Sequence, residues 1–571
     1  MKKFRSYFIL ILIGAVLSSC SGLNKMKKNS NLIKYEVTPK ILKTDAGLVT
    51  VTIKGSFPAK YFDKKTVVTA TPVLTYAGGE TAFDKVQVIQ GESVQANNKV
   101  VPYTGGDFTY TNTIPYKDAM KVSELILRVK AVRGTKSLDF DPIKLADGVI
   151  ATSTLVEKES KTVSMKDNYV RVNPESKLAD ILYQINKADI QSKELKAEDI
   201  LLLQEYIKNV SADPTYQLKG VSTSSYASPD GSMKINEPLS QKRGTTADKF
   251  IQKEFAKVDA AKAPGFFDSK TTPEDWDGFK TEVEKSTIQD KDLILRVLSM
   301  YADPDVREKE IKNMSAAFEA LKTDILPKLR RSKMLVNVDK VGRSDEQILA
   351  QMRSDPKALS LEEMIRSASL TTDQNEQLKF NLATAESYPK DIRAANNVGC
   401  SYMALGKTTE AIAAFEKAKA IQNNDMIKNN LGFASLVKGD LVKAEEYFTS
   451  MTTATTESKW GLGVIAITKG EYDKAVNYFG TEPCFNLALA LALKGDNNKA
   501  KATLDSMKDL CKCGKPSYLK AVIGARLDDK NYMLNNLREA IAFKADWKAY
   551  AKTDLEFAKY FNDDTFKSVV Q

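Results

Sequence analysis

A chain of 571 residues with no histidine has a narrowed chemistry. Ser-His-Asp and Cys-His nucleophiles, His-ligated zinc and His proton relays are all excluded. What remains with chemical reach is a few cysteines, some acidic pairs and a set of arginines. Cys400, Cys484, Cys511 and Cys513 could close up to two disulfides in an oxidising compartment, with three possible pairings. Cys511-Lys512-Cys513 has the wrong spacing for a CxxC redox or zinc site. Glu274-Asp275 is an acidic pair of the kind hydrolases use, but nothing sets the two carboxylates across a cleft in divergent environments. No catalytic set, metal or cofactor is expected, and the chain reads as a binding protein rather than an enzyme.

The positions of charge suggest a location. Lys2, Lys3 and Arg5 precede an uncharged, mostly apolar stretch, Tyr7 to Leu17. That stretch is too short for a hydrocarbon core of ~30 Å, so residues 1–19 read as a signal peptide. It ends Leu17-Ser18-Ser19-Cys20, which matches the bacterial lipobox and makes Cys20 the candidate lipidation site. Acyl chains there would supply a membrane anchor. Residues 20–33 form a tether, in which Lys25, Lys27 and Lys28 rest on anionic headgroups or are simply solvated. No acidic run follows Cys20, unlike surface-exported Bacteroidota lipoproteins, so the expected place is the periplasmic side of the outer membrane. Lys+Arg exceeds Asp+Glu by 84 to 73, but the excess is spread along the chain and argues against nucleic acid.

Elements must position any site, and this length suggests several domains. From 34 to 155 apolar and polar residues alternate, as in Val49-Thr-Val-Thr-Ile53, Thr66 to Ala70 and Leu125 to Ala131. Gly78-Gly79, Asn97-Asn98, Gly105-Gly106 and Gly134 punctuate the runs. An all-β sandwich is expected there. Further on, Asp180 to Ile185 and Tyr216 to Ser225 read as strands. Ala197 to Asn209 and Leu239 to Phe255 read as helices, the second capped by Asn236 or Ser240.

This middle segment, 178–341, resembles the OmpA-like peptidoglycan-binding family. The resemblance rests on Ile185 to Ile190, on Gly231 followed by Asn236-x-x-Leu239-Ser240-x-x-Arg243, and on Arg330-Arg331 before a late strand, Lys333 to Val338. It implies an α+β domain that holds a peptidoglycan stem peptide. Arg243 would pair the stem carboxylate through its planar fork. Asn236, Leu239 and Ser240 would shape the loop-to-helix junction, and Arg331 would line the pocket. The family's ligand-binding aspartate falls on Ser228, which cannot neutralise an ammonium; Asp230 lies two residues on. A helical insertion at about 264–326, with Trp276 and Phe279 as packing residues, is expected to narrow or block the groove.

From 344 to 571 a period of 25–33 residues emerges. Val398-Gly399, Gly406, Ala411 and Phe415 recur as Leu431-Gly432, Gly439, Ala444 and Phe448, then as Leu462-Gly463, Gly470, Ala475 and Phe479. A fourth unit has Leu487-Ala488, Gly495, Ala500 and Leu504, with relaxed copies near 365–385 and 520–540. The pattern resembles the tetratricopeptide repeat, an all-α solenoid whose concave face takes peptide or protein. Asn396, Asn397, Asn429 and Asn430 sit at matching places in two repeats, where carboxamides could clasp a peptide backbone. Trp547 to Val570 reads as a capping helical pair.

The expected function is that of a periplasm-facing outer-membrane lipoprotein. It would touch peptidoglycan through the middle domain and hold protein partners through the repeats. The alternative is an assembly or secretion-machinery scaffold whose OmpA-like domain no longer binds peptidoglycan.

Overall fold

A computed structural model describes residues 22–508 and 511–571. The signal segment and Cys20 lie outside the described residues. The chain forms two compact units, residues up to 165 together with 388–571, and residues 166–387.

The first unit opens with a β-rich lobe. Its strands are β1 (Lys34–Thr38), β2 (Ile41–Asp45), β3 (Leu48–Phe57), β4 (Val67–Tyr76), β5 (Gly79–Ala82), β6 (Gln87–Gly91), β7 (Lys99–Val101), β8 (Gly106–Pro115), β9 (Ser123–Arg133), β10 (Lys136–Asp139) and β11 (Ile143–Ile150). Period-two alternation places Val49, Val51 and Ile53 of β3 in the core. The outward Thr50 and Thr52 pair across the sheet with Thr113 and Thr111. The expectation of two separate sheets is corrected to one curled sheet of 11 strands among the described residues. The cause is β2, which pairs antiparallel with β3 on one side and parallel with β11 on the other. It thereby joins the halves around one apolar core that includes Leu42, Phe62, Tyr110 and Leu127.

The same unit contains five helix pairs among the described residues. They are Ile392–Ala404 with Thr408–Ile421, Asp425–Lys438 with Leu441–Thr449, Thr456–Thr468 with Tyr472–Phe479, Phe485–Lys494 with Asn497–Ser506, and Lys515–Arg526 with Lys530–Phe543. Close packing within each pair needs a small residue. A Cβ on Gly399 would lie 2.4 Å from Phe415, and one on Gly432 would lie 2.5 Å from Phe448. The turn inside each of the first four pairs has a glycine at positive φ, Gly406, Gly439, Gly470 and Gly495; in the fifth, Asp528 takes that conformation. Helices Asp546–Thr553 and Asp564–Val570 follow the last pair. The lobe and the array share contacts: Tyr472 donates to Asp45 at 2.6 Å, and Leu155 enters the array's apolar core.

The second unit is built on a four-stranded sheet ordered β12 (Val172–Leu182), β15 (Arg331–Val341), β13 (Tyr216–Tyr226) and β14 (Phe267–Thr272). Helices Glu198–Ala212 and Met233–Glu254 cover it through Ile200, Leu203, Ala247 and Ile251. The second helix begins at Met233 rather than Leu239, with Ser232 at its N-cap position. Asn236 and Ser240 therefore lie inside the helix and do not cap it. Pro238 also lies inside, near enough to the start to forfeit only a first-turns hydrogen bond. Strand β14 falls within the expected insertion. After it, the helices of residues 276–329 form a small core of their own around Phe279, Leu298, Leu321 and Leu329. Three more helices, Asp345–Ser354, Leu361–Ser369 and Gln374–Ser387, complete this unit.

Candidate functional site

In the second unit the sequence-predicted residues converge at the end of β13 and the start of the helix that follows. Most of their polar atoms are bonded inside the domain, and the Arg331 Nε is buried without a hydrogen-bond partner. Arg243 is 1% exposed. Its Nε donates to the Lys187 carbonyl at 3.0 Å, Nη1 to that of Tyr226 at 2.9 Å, and Nη2 to that of Gln184 at 3.2 Å. Its guanidinium lies over the Tyr183 ring. Burial pulls its pKa down to about 10, so it stays charged at neutral pH. The arginine thus ties the loop after β12 to the end of β13.

Ser228 donates to Asp230, and Arg330 donates to both, at 3.2 Å in each case. Asp230 therefore already holds a cation. Asn236 donates to the carbonyls of Ser228 and Gly231 and fixes the turn between them. Ser240 is buried and donates back to the Glu237 carbonyl, while Leu239 is half-buried on the same helix. Arg331 does not join the Asp230 group. It forms a buried ion pair with Asp275 at 3.0 Å, under the Tyr226 ring. The helices of the insertion pack on the turn: Trp276, Phe279, Ile311 and Leu326 line a narrow crevice with Pro229 and Asp230. Arg330 was visible in sequence only as part of the Arg330-Arg331 doublet, and Asp275 only as half of an acidic pair; nothing pointed to its place beside Arg331, because only the fold brings it to β15.

The array holds a second constellation. The first helices of successive pairs share one face. Residues 156–165 run along it in extended form, after the turn Thr152–Leu155. Asn397 accepts from the Met165 N–H and donates to its carbonyl, both at 2.8 Å. Asn430 does the same to Val163, both at 2.8 Å. Asn486 does so to Glu157, both at 2.9 Å. Asn396 adds a bond to the Val163 carbonyl, and Asn429 one to that of Lys161. All five carboxamide side chains are buried. Asn430 also donates to Asn396 at 2.8 Å, which couples adjacent repeats.

Side chains of the strap add contacts. The Lys161 ammonium lies 4.8 Å from the centre of the Trp460 ring, Glu157 faces Lys515 at 3.8 Å, and Met165 packs on the cluster around Phe415 and Leu431. Two free thiols lie against the same face. Asn396 and Asn430 approach the Cys400 sulfur at 3.8 and 3.7 Å, and burial pushes that thiol up to about 12. Burial also raises the Cys484 thiol. The other two cysteines, Cys511 and Cys513, are bonded to each other. The asparagine pairs were visible in the sequence as candidate backbone clasps. What they hold was not, because 156–165 has the polar composition of a solvated linker.

Comparison with known proteins bears on the array. A tetratricopeptide repeat profile matches residues 392–425. No curated protein matches the chain. Among solved structures, a tetratricopeptide repeat protein from Parabacteroides merdae is 16% identical, covering 43% of this chain and 98% of its own, with a TM-score of 0.31. The Cut9–Hcn1 assembly of the APC/C is 13% identical over 60% of this chain and 77% of its own, at a TM-score of 0.31. YrrB, described as a TPR protein with an unusual peptide-binding site, is 18% identical over 37% of this chain and 99% of its own, at 0.22. The chain carries tetratricopeptide repeats, which suggest a scaffold for protein–protein interaction.

Proposed function

We propose that this protein is a periplasm-facing outer-membrane lipoprotein, anchored through Cys20, that scaffolds protein partners and does not bind peptidoglycan through Arg243. The observation that carries the last point is the placement of Arg243, whose three nitrogens all donate to backbone carbonyls inside the domain. Asp230, the carboxylate nearest in sequence to Ser228, is already paired with Arg330. The packed insertion supports the same reading.

Peptidoglycan contact is the second reading. The match between the expected strands and helices of 178–341 and the observed sheet, with the late strand inside β15, supports an OmpA-like fold for this segment. The test is sedimentation of the chain 21–571 with isolated sacculi. The scaffold reading expects the protein to stay in the supernatant. Retention that is lost on Asp230→Asn would overturn it in favour of murein contact. A Cys20→Ala variant of the complete chain should leave the membrane fraction; persistence there would remove the lipid anchor from the proposal.

A further inference from the structure

The first-helix face of the array is an occupied site. Its ligand is the chain's own residues 157–165. The mode of holding is specific in geometry and tolerant in sequence. Asn397, Asn430 and Asn486 each use one carboxamide to accept from an N–H and donate to the carbonyl of the same residue. A carboxamide presents the donor and acceptor that an extended backbone residue needs. Any non-proline residue satisfies it. The exposed Val163 side chain confirms that Asn430 reads only backbone there.

Selectivity comes from four other places. An apolar side chain at 156 joins the array's core, an acid at 157 faces Lys515, a cation at 161 covers Trp460 and an apolar side chain at 165 fills the Phe415 cluster. The clasp is interrupted once. Gly461 stands where Asn430 and Asn486 stand in the flanking repeats, two positions before Gly463 as Asn430 is before Gly432. Phe448 packs against Gly461 and leaves no room for a side chain. The strap spans this gap with residues 158–160, where the Ser160 hydroxyl is buried without a protein partner. The middle of the strap is therefore held less firmly than its ends, which gives a competing strand a place to enter.

Building on the scaffold reading, we propose that this face is a peptide site closed in cis by residues 157–165, and that it takes an extended partner segment with the pattern apolar-acidic-x-x-x-basic-x-x-x-apolar only in exchange for that strap. Tethering gives the strap an effective concentration on the order of 1 mM, so a free peptide at ~10 μM does not displace it from the intact chain. A strand delivered by a bound partner meets the same local concentration and competes on equal terms.

Cys400 and Cys484 report on the exchange, since both lie under the strap. In chain 21–571 carrying Glu157→Pro, Val163→Pro and Met165→Pro, which removes the three clasped N–H groups, both thiols should react with a maleimide at least about tenfold faster than in the native chain. A synthetic peptide of residues 155–166 should restore their protection. Asn430→Ala in the same background should weaken that peptide at least about tenfold. Thiols equally protected in the proline variant, or a folded proline variant that ignores the peptide, would overturn the proposal. The native chain provides a measurement that needs no variant. At ~1 mM peptide the strap amides of Val163 and Met165 should exchange hydrogen faster, and unchanged rates would count against exchange. Either failure leaves the scaffold reading standing, because sedimentation and membrane fractionation test that separately.

Discussion

At the scale of single residues, the middle domain shows how one side chain can have the right type and the wrong employment for a ligand site. Arg243 has the planar fork that recognises carboxylates, and its spacing from Gly231 and Asn236 was legible in the sequence. Its surroundings were not, because the carbonyls of Gln184, Lys187 and Tyr226 reach it only through the fold. Each buried carbonyl left without a donor costs about 1–3 kcal/mol. Arg243→Ala takes a donor from all three, though the Gln184 carbonyl keeps the Lys187 N–H, and should lower the unfolding free energy by at least about 2 kcal/mol. Arg243→Lys should recover less than half of that, since an ammonium cannot reproduce the fork. Urea denaturation of the chain 21–571 measures both. An alanine variant of native stability would show that the three bonds are incidental.

At the scale of elements, what repeats was legible and what is singular was not. The glycine and phenylalanine positions of four repeats announced the helix pairs because every copy solves the same packing problem. Gly432 meets Phe448 as Gly399 meets Phe415. Gly432→Val should overpack this contact and cost about 1–3 kcal/mol, and Phe448→Leu in the same chain should return part of the loss. A thermal-unfolding series of the two single variants and the double variant checks the coupling; simple additivity would mean that the contact is loose. By contrast β14 was hidden, because its residues Asp268, Ser269 and Lys270 are exposed on a sheet edge and do not alternate. The two-sheet expectation for the β-rich lobe failed at one strand, β2, whose pairing on both edges no local pattern reveals. The strap at 157–165 was hidden for a third reason. Its structure is imposed by asparagines 232 to 329 residues away.

At the scale of the whole molecule, the first unit is built from the two ends of the chain, and its polar contacts there carry a pH dependence. Asp554 accepts from the Tyr518 hydroxyl at 2.5 Å and from the Glu556 N–H at 3.0 Å. Glu556 in turn pairs with Arg526 and accepts from Thr152 of the β-rich lobe. Burial dominates over the Tyr518 bond and pushes the Asp554 carboxyl up to about 6 from an ordinary value near 3.8. The folded unit therefore binds this proton more tightly than the unfolded chain does. Its contribution to stability is fully present below pH ~4 and is lost as pH rises through about 6, by up to about 3 kcal/mol. Asparagine keeps the acceptor for Tyr518 and removes the charge. Asp554→Asn should match the parent near pH 4 and exceed its stability by up to about 3 kcal/mol at pH 7. Denaturant melts at several pH values, followed by tryptophan fluorescence in a Trp276→Phe background, isolate this unit through Trp460 and Trp547. The difference between variant and parent cancels the exposed carboxylates that titrate in both. A difference that stays constant from pH 4 to 7 would mean that Asp554 is charged throughout, and that its surroundings are wetter than the packing of Tyr518, Trp547 and Phe557 around it allows.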